Sequence, residues 1–258
     1  MVISARNSEL LDDVATSCQH DALDNERPLV LPLDITNNEQ LANALTKIQE
    51  TLSGIDLVII NAGTYSATRA NTLTTNEVSS VLETNLLGPM RACALMLPDL
   101  VKSAEKSKSP YAGVAFVGSV AGYRGLPQAL TYGPGKAGLI SFSESLWQDL
   151  RPMGLNVWLI NPGFVKTKLT ALNDFNMPAL LTAQEASQEI IRGFAQGCFE
   201  IHFPKRFTRF MKFLRLIPIT CYLKLSQRLV PGLTYQQFKQ PAKSEKAHHA
   251  KANANRDS

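Results

Sequence analysis

The feature that most constrains this chain is an alternation in which short apolar runs are each followed by a stretch with apolar residues at helical spacing. Met1 to Ala5 reads as a short strand, and Leu10, Leu11, Val14 and Ala15 mark a helix after it. Leu29 to Leu33 is the next strand. Thr36 is placed to cap a helix whose Leu41, Ala44, Leu45 and Ile48 share one stripe, and Gly54 closes it before the apolar run Ile55 to Ile60. A long helical stretch around Val78 to Leu100 leads to the strand Gly113 to Val117. A helix from about Tyr132 to Arg151, the strand Leu155 to Ile160, a helix Ala183 to Ala195 and the strand Cys198 to Phe203 complete the series, which Pro204 ends. Repetition of this kind predicts an α/β fold with a doubly wound parallel sheet.

A chain of 258 residues fits one such domain, and 45% hydrophobic with 19% charged residues is a globular balance. No apolar run approaches the roughly 18 residues of a membrane span, and Met1 to Leu10 lacks the features of a secretory signal, so a cytoplasmic setting is expected. Cys18, Cys93, Cys198 and Cys221 have no CxxC spacing, which suits reduced thiols and no metal site. The net charge of +4 hides an asymmetry: from Lys205 onward twelve Lys/Arg face two acids, against fourteen and twenty before it. Residues 1–204 therefore read as the α/β body, 205–235 as a basic amphipathic helical segment and 236–258 as a polar tail expected to be disordered. In the middle segment Phe207, Phe210, Met211, Leu214 and Ile217 fall on one face, with Lys205, Arg209 and Lys212 on another. This segment lies on an anionic membrane surface or packs over a substrate pocket or subunit partner. No motif for nucleic acid accompanies the basic charge.

Tyr132 and Lys136 stand four apart, on one face of a helix. A tyrosine titrates near pH 10 and exchanges protons poorly at neutral pH unless a nearby ammonium lowers its pKa, a task Lys136 is expected to perform. Gly133 and Pro134 between them require Tyr132 to lie at or near the helix start. Ser119 follows an apolar strand at the carboxyl end, where open α/β sheets place ligands, and its hydroxyl suits a substrate carbonyl. Asn61, Ala62 and Gly63 follow another strand, small enough for close backbone approach to a flat ligand. Asn85 lies in a helix, where its amide suits holding a water or bending the helix. Pro162 and Gly163 end a further strand.

NAG at Asn61, Asn85 in ETNLLG, Ser119 in GSVAG, YGPGK at Tyr132 and PGFVKT at Pro162 together resemble the NAD(P)-dependent short-chain dehydrogenase/reductase family, in order and spacing from about Val2 to Pro204. The resemblance implies a Rossmann-like fold, with Tyr132 as proton donor or acceptor and Ser119 as carbonyl ligand. It further gives Lys136 the nicotinamide ribose and Asn85 the proton-relay water. It sets Pro162, Gly163, Val165 and Thr167 along the nicotinamide, Asn61, Ala62 and Gly63 beside the adenosine ribose, and Asp34 at the adenine. Family members that prefer NAD commonly carry an acid where Ala5 stands here, with Arg6 following. A guanidinium grips a 2′-phosphate, so NADP is expected over NAD. The substrate flap falls on Phe164 to Leu181, where Leu169, Leu172, Phe175, Met177 and Leu180 suit an apolar or lipid-like ligand, or packing against the core. Family members usually assemble as homo-oligomers.

The sequence departs from the family at its start, where a first strand and T-G-x-x-x-G-I-G normally receive the pyrophosphate. Neither is present, so an interior gap is expected beside the Val2 to Ala5 strand, as if Met1 were an internal methionine. Weak cofactor binding and poor stability are expected of the chain as it stands. The functional alternatives are thus a carbonyl/secondary-alcohol oxidoreductase and a catalytically inactive scaffold or binding protein that kept the fold.

Overall fold

The computed structural model describes residues 1–21, 26–107, 109–167, 170, 177–230 and 232–239. In chain order these form β1 (Val2–Ile3), α1 (Ser8–Asp21), β2 (Leu29–Val30), α2 (Asn38–Thr51), β3 (Leu57–Ile60) and α3 (Thr75–Leu82). Then follow α4 (Gly88–Ser107), β4 (Gly113–Val117), α5 (Tyr132–Leu150), β5 (Asn156–Pro162), α6 (Ala183–Ala195), β6 (Glu200–Phe203), α7 (Lys205–Leu216), α8 (Ile219–Leu229) and α9 (Tyr235–Lys239). The strands make two parallel sheets, β1-β2 and β3-β4-β5-β6. No ladder joins β1 to β3 among the described residues.

The larger sheet is covered on both faces, and alternation along its strands explains how. Val114 and Phe116 of β4 and Val157 of β5 point into one cluster with Cys93, Leu100 and Leu139 of α4 and α5. Ala115, Trp158 and Ile160, one residue out of step, point into the opposite cluster with Ala186 of α6 and Ile201 and Phe203 of β6. Successive side chains of a strand face opposite ways, so a run apolar at every position is what a doubly covered sheet needs. Register runs Leu57 beside Gly113 and Gly113 beside Asn156, which aligns the carboxyl ends of β3, β4 and β5. At the edge, Ile59 of β3 stays 51% exposed.

The smaller sheet is thinner. Leu29, Leu31 and Leu33 donate from their amides to the carbonyls of Met1, Ile3 and Ala5, so parallel pairing continues beyond the two-residue strands. Leu33 and Ile35 pack onto the main core together with Leu41 of α2. Gly88 is needed at the start of α4, because a Cβ there would come within 2.9 Å of the Ile35 carbonyl oxygen.

Three local expectations shift. Asn37, not Thr36, caps α2, its side-chain oxygen accepting from the Gln40 amide at 3.0 Å, and Leu52 closes the helix before Gly54. Thr36 instead turns both its amide and hydroxyl to Asp34. The long helix expected around Val78 to Leu100 is α3 and α4 joined by a π-turn, Glu83–Leu87. Residues 236–239, expected in the disordered tail, belong to α9, whose entry is fastened by Thr234 donating to Gln237 Oε1. The rest of that tail, 240–258, lies outside the described residues.

Candidate active site

Tyr132 is the first residue of α5, as Gly133 and Pro134 require, because the ring of Pro134 is tolerated only in the first turn. Gly122 lets the turn that follows Ser119 lie flush on this helix: a Cβ on it would meet the backbone of Lys136 at 2.8 Å. That close approach carries Ser119 to Tyr132. Ser119 caps the short 3-10 turn Val120–Gly122, its oxygen accepting from the Ala121 amide at 3.1 Å, and its hydroxyl is near enough to the Tyr132 phenol to act on its pKa. Burial raises the Tyr132 phenol above its ordinary value of 10.0, the Ser119 contact lowers it in part, and Tyr65 adds to the rise. The Tyr65 ring stands perpendicular to that of Tyr132 with centroids 5.1 Å apart.

Lys136 is buried on the same helix face, and its Nζ donates to the Val117 carbonyl oxygen at 2.7 Å. Burial pushes its pKa down to about 8, and its Nζ lies 5.9 Å from the Tyr132 ring centroid. The expectation that Lys136 lowers the Tyr132 pKa is therefore corrected for this geometry: the ammonium is held by the carboxyl end of β4, and the phenol shifts upward.

Asn85 is fully buried in the π-turn. Its Oδ1 accepts from the Thr64 amide and its Nδ2 donates to the Thr64 carbonyl, both at 2.8 Å. The amide thus satisfies a loop residue that has no ladder to join, and fixes the segment after β3. π-Bulges of this kind gather at functional sites. Asn61, Ala62 and Gly63 are exposed on that fixed segment. A Cβ on Gly63 would lie 3.3 Å from Asn85 Oδ1 and 3.5 Å from Lys136 Nζ, so the loop abuts the lysine.

Pro162 ends β5, and Gly163 donates to the Phe203 carbonyl at 2.7 Å. A Cβ on Gly163 would strike the Phe207 ring at 2.8 Å, so α7 sits directly against this turn. Val165 pairs with Leu181 in a β-bridge, tying the two ends of the segment expected to form a flap. Thr167 is exposed and linked through its amide to Thr170 Oγ1 at 2.9 Å. Of the apolar flap residues, Met177 and Leu180 are described, and Leu169, Leu172 and Phe175 lie outside the described residues.

Arg6 and Asp34 stand apart, at the ends of β1 and β2. Burial would raise the Asp34 carboxyl, but the Thr36 amide and hydroxyl, with the positive charge of Arg6, hold it below its ordinary value. Ser119, Tyr132, Lys136, Asn85 and the loop at Gly63 are thus brought together, whereas Arg6 and Asp34 form a separate pair.

A polar cluster escaped the sequence reading. Glu200 of β6 accepts from Tyr123 Oη, from Asn161 Nδ2 at 2.8 Å and from Lys212 Nζ at 2.5 Å. Burial would raise this carboxyl, and the three hydrogen bonds bring it below its ordinary value. Tyr123 closes the turn begun by Ser119, and Asn161 precedes Pro162, so the cluster braces two segments of the site. Asn161 within a buried strand was the one signal in the sequence, because a buried amide needs a partner. Tyr65, edge-on to Tyr132, was also unforeseen. Among the described residues no group of His, Cys, Asp and Glu is placed to hold a metal.

The model of the short chain dehydrogenase family matches residues 1–176. An uncharacterized oxidoreductase of Myxococcus xanthus (strain DK1622) is 33% identical over 197 residues, 76% of each chain. One from Staphylococcus aureus (strain USA300) is 26% identical over 196 residues, 76% of this chain and 80% of its own. A short-chain dehydrogenase/reductase from Burkholderia phymatum, solved in complex with NAD, superposes with a TM-score of 0.73 at 16% identity, covering 90% of this chain and 88% of that one. A short-chain dehydrogenase from Sphingobium yanoikuyae in complex with NADPH gives 0.69 at 20% identity, covering 94% and 88%. The chain belongs to the short-chain dehydrogenase family, an oxidoreductase family built on an NAD(P)-binding Rossmann-like fold.

A buried ammonium and an exposed loop backbone fit a ribose of such a cofactor. The exposed Ala62-Gly63 backbone lies next to the buried Lys136 ammonium, at the aligned carboxyl ends of the strands. These residues do not supply the diphosphate site, since no glycine-rich turn opens onto a helix among the described residues near β1.

Proposed function

We propose that this protein interconverts a carbonyl and a secondary alcohol with NADP(H), and that Tyr132 exchanges the proton at the substrate oxygen. The observation that carries this reading is the meeting of the Ser119 hydroxyl and the Tyr132 phenol beside the buried Lys136 ammonium. Bound nicotinamide supplies or accepts the hydride. Ser119 donates a hydrogen bond to the carbonyl oxygen and holds it against Tyr132. Tyr132 is protonated at neutral pH, the form a donor to a carbonyl oxygen requires. Lys136 would bind the nicotinamide ribose, while Asn85 holds the segment after β3 through Thr64 and would anchor the relay water. Asn61, Ala62 and Gly63 border the adenosine ribose, and Pro162, Gly163, Val165 and Thr167 line the nicotinamide.

Arg6 supports NADP over NAD, with Asp34 at the adenine. The apolar residues of the flap support an apolar or lipid-like substrate. A cytoplasmic homo-oligomer belongs to the same proposal. The rival reading is an inactive scaffold or binding protein that kept the fold. The test is NADPH-dependent reduction of a panel of apolar ketones. The 258-residue chain is assayed beside a version carrying a β-strand and glycine-rich turn ahead of Met1. Reduction by the extended version, with NADPH preferred to NADH, is expected. Tight NADPH binding by both versions without turnover of any ketone would favour the scaffold.

A further inference from the structure

The segment from Lys205 to Leu229 carries seven Lys/Arg and no Asp or Glu. Its two helices are fastened to the body, so their outer face is a built surface. Phe207, Met211 and Leu214 of α7 pack with Val120, Tyr123 and Ile140 in a core cluster. Thr208 is fully buried and meets His202 Nδ1 at 2.6 Å. Arg124 donates to the Leu214 and Arg215 carbonyls at 2.9 and 2.8 Å, and Tyr222 of α8 donates to the Gly125 carbonyl at 2.6 Å. This inner stripe packs α7 beside the turn that follows Ser119, yet it spends only one side of the helix. Phe210, which the sequence assigned to the same stripe as Phe207, points outward and is exposed.

The outer side is unusual in what it leaves in water. Phe213 is 58% exposed and Leu216 79%, with Phe210 beside them and Ile219 and Leu223 continuing the apolar strip onto α8. Arg206 and Arg209 lie on the same side of α7, seven and four residues before Phe213. Lys205, Arg206, Arg209, Lys224 and Arg228 make no ion pair among the described residues. Large exposed apolar side chains flanked by unpaired cations suit an interface of hydrocarbon below anionic headgroups. A symmetric contact with a second copy would set these like charges against each other. No helix among the described residues is long and apolar enough to cross a membrane.

We infer that the outer face of α7 and α8 docks flat on an anionic lipid bilayer, with Phe213 and Leu216 in the acyl boundary and Arg206 and Arg209 at the phosphates. The inference is independent of the catalytic reading. Because Phe207 touches Gly163 and stacks near Phe164 with ring centroids 5.5 Å apart, docking sets the base of the flap close to the lipid.

The test is flotation of the full chain with vesicles of phosphatidylglycerol and phosphatidylcholine in equal parts, against phosphatidylcholine alone. Binding to the first and at least about tenfold weaker binding to the second is expected. Arg206→Glu with Arg209→Glu, and separately Phe213→Ser with Leu216→Ser, each weaken flotation at least about tenfold while thermal unfolding is unchanged, because all four side chains are outside the core. Failure of the wild-type chain to float, equal flotation with both vesicles, or flotation untouched by both variants overturns the inference. So does sedimentation showing self-association through this face, lost in the variants, without vesicle binding.

Discussion

The two sheets of this protein are built to different standards. In the β3-β4-β5-β6 sheet, ladders of four and five residues run between faces that are both covered, and Phe116 and Trp158 are almost wholly enclosed. The β1-β2 sheet has two-residue strands of intermediate burial, and α1 buries Leu11 and Ala15 while leaving Leu10 and Val14 exposed. Every group proposed to act in chemistry stands on the first sheet or the helices over it, whereas Arg6 and Asp34, proposed for the adenosine end, stand on the second. Proton transfer depends on distances held to a fraction of an ångström, and a doubly covered sheet can hold them. Recognition of a ribose phosphate tolerates a looser platform.

Substitutions that separate the two regions follow from this contrast. Phe116→Ala, in the enclosed sheet, lowers unfolding free energy by about 3–5 kcal/mol, whereas Val30→Ala in β2 lowers it by about 1 kcal/mol. Urea melts of both check the contrast, and equal losses break it. Lys136 gives the next effect. Burial lowers its pKa from 10.5 to about 8, so between those values the unfolded chain holds a proton that the folded chain has released. Stability from this group therefore rises with pH across that window, by up to about 3 kcal/mol. The rise is missing from Lys136→Met when the two proteins are compared at each pH.

A smaller effect is expected at the thinner sheet. Arg6→Ala reduces the preference for NADPH over NADH by about tenfold in equilibrium titration of the extended version, with hydride-transfer rate unchanged at saturation. The smallest lies at the seam of β6 and α7. Burial, then the charges of Lys212, Lys205 and Arg209, lower the His202 pKa from 6.5 to about 4, against a weaker opposing pull from Glu200. Its neutral form is the native one, so its contribution is complete above pH 6.5 and is lost as pH falls toward 4. His202→Gln flattens that part of the acid-unfolding curve.

What the sequence disclosed, and what it withheld, follows the range of the interactions involved. β4 and α6 were legible from end to end, because a solid apolar run bounded by glycine and a strongly amphipathic stripe are local signals. The start of α5 at Tyr132 was legible because proline tolerates only a first turn. The π-turn around Asn85 had no local mark, and Glu200 with its three partners could not be read because the cluster is assembled from four separate segments. The spacing of Tyr132 and Lys136 put them on one face but could not reveal that the Val117 carbonyl would take the ammonium. The same limit applied to α7, where one apolar stripe in the sequence became an inner row and an exposed Phe210.

The central claim is that Tyr132 moves the proton in a pocket it shares with Ser119 and Lys136. The most direct measurement is single-turnover reduction of a ketone by the extended version and its Tyr132→Phe variant, with NADPH affinity titrated separately. The account predicts affinity within about twofold and a hydride-transfer rate lower by about 10²–10⁴. A variant that binds NADPH equally well and reduces the ketone at the parental rate would contradict it.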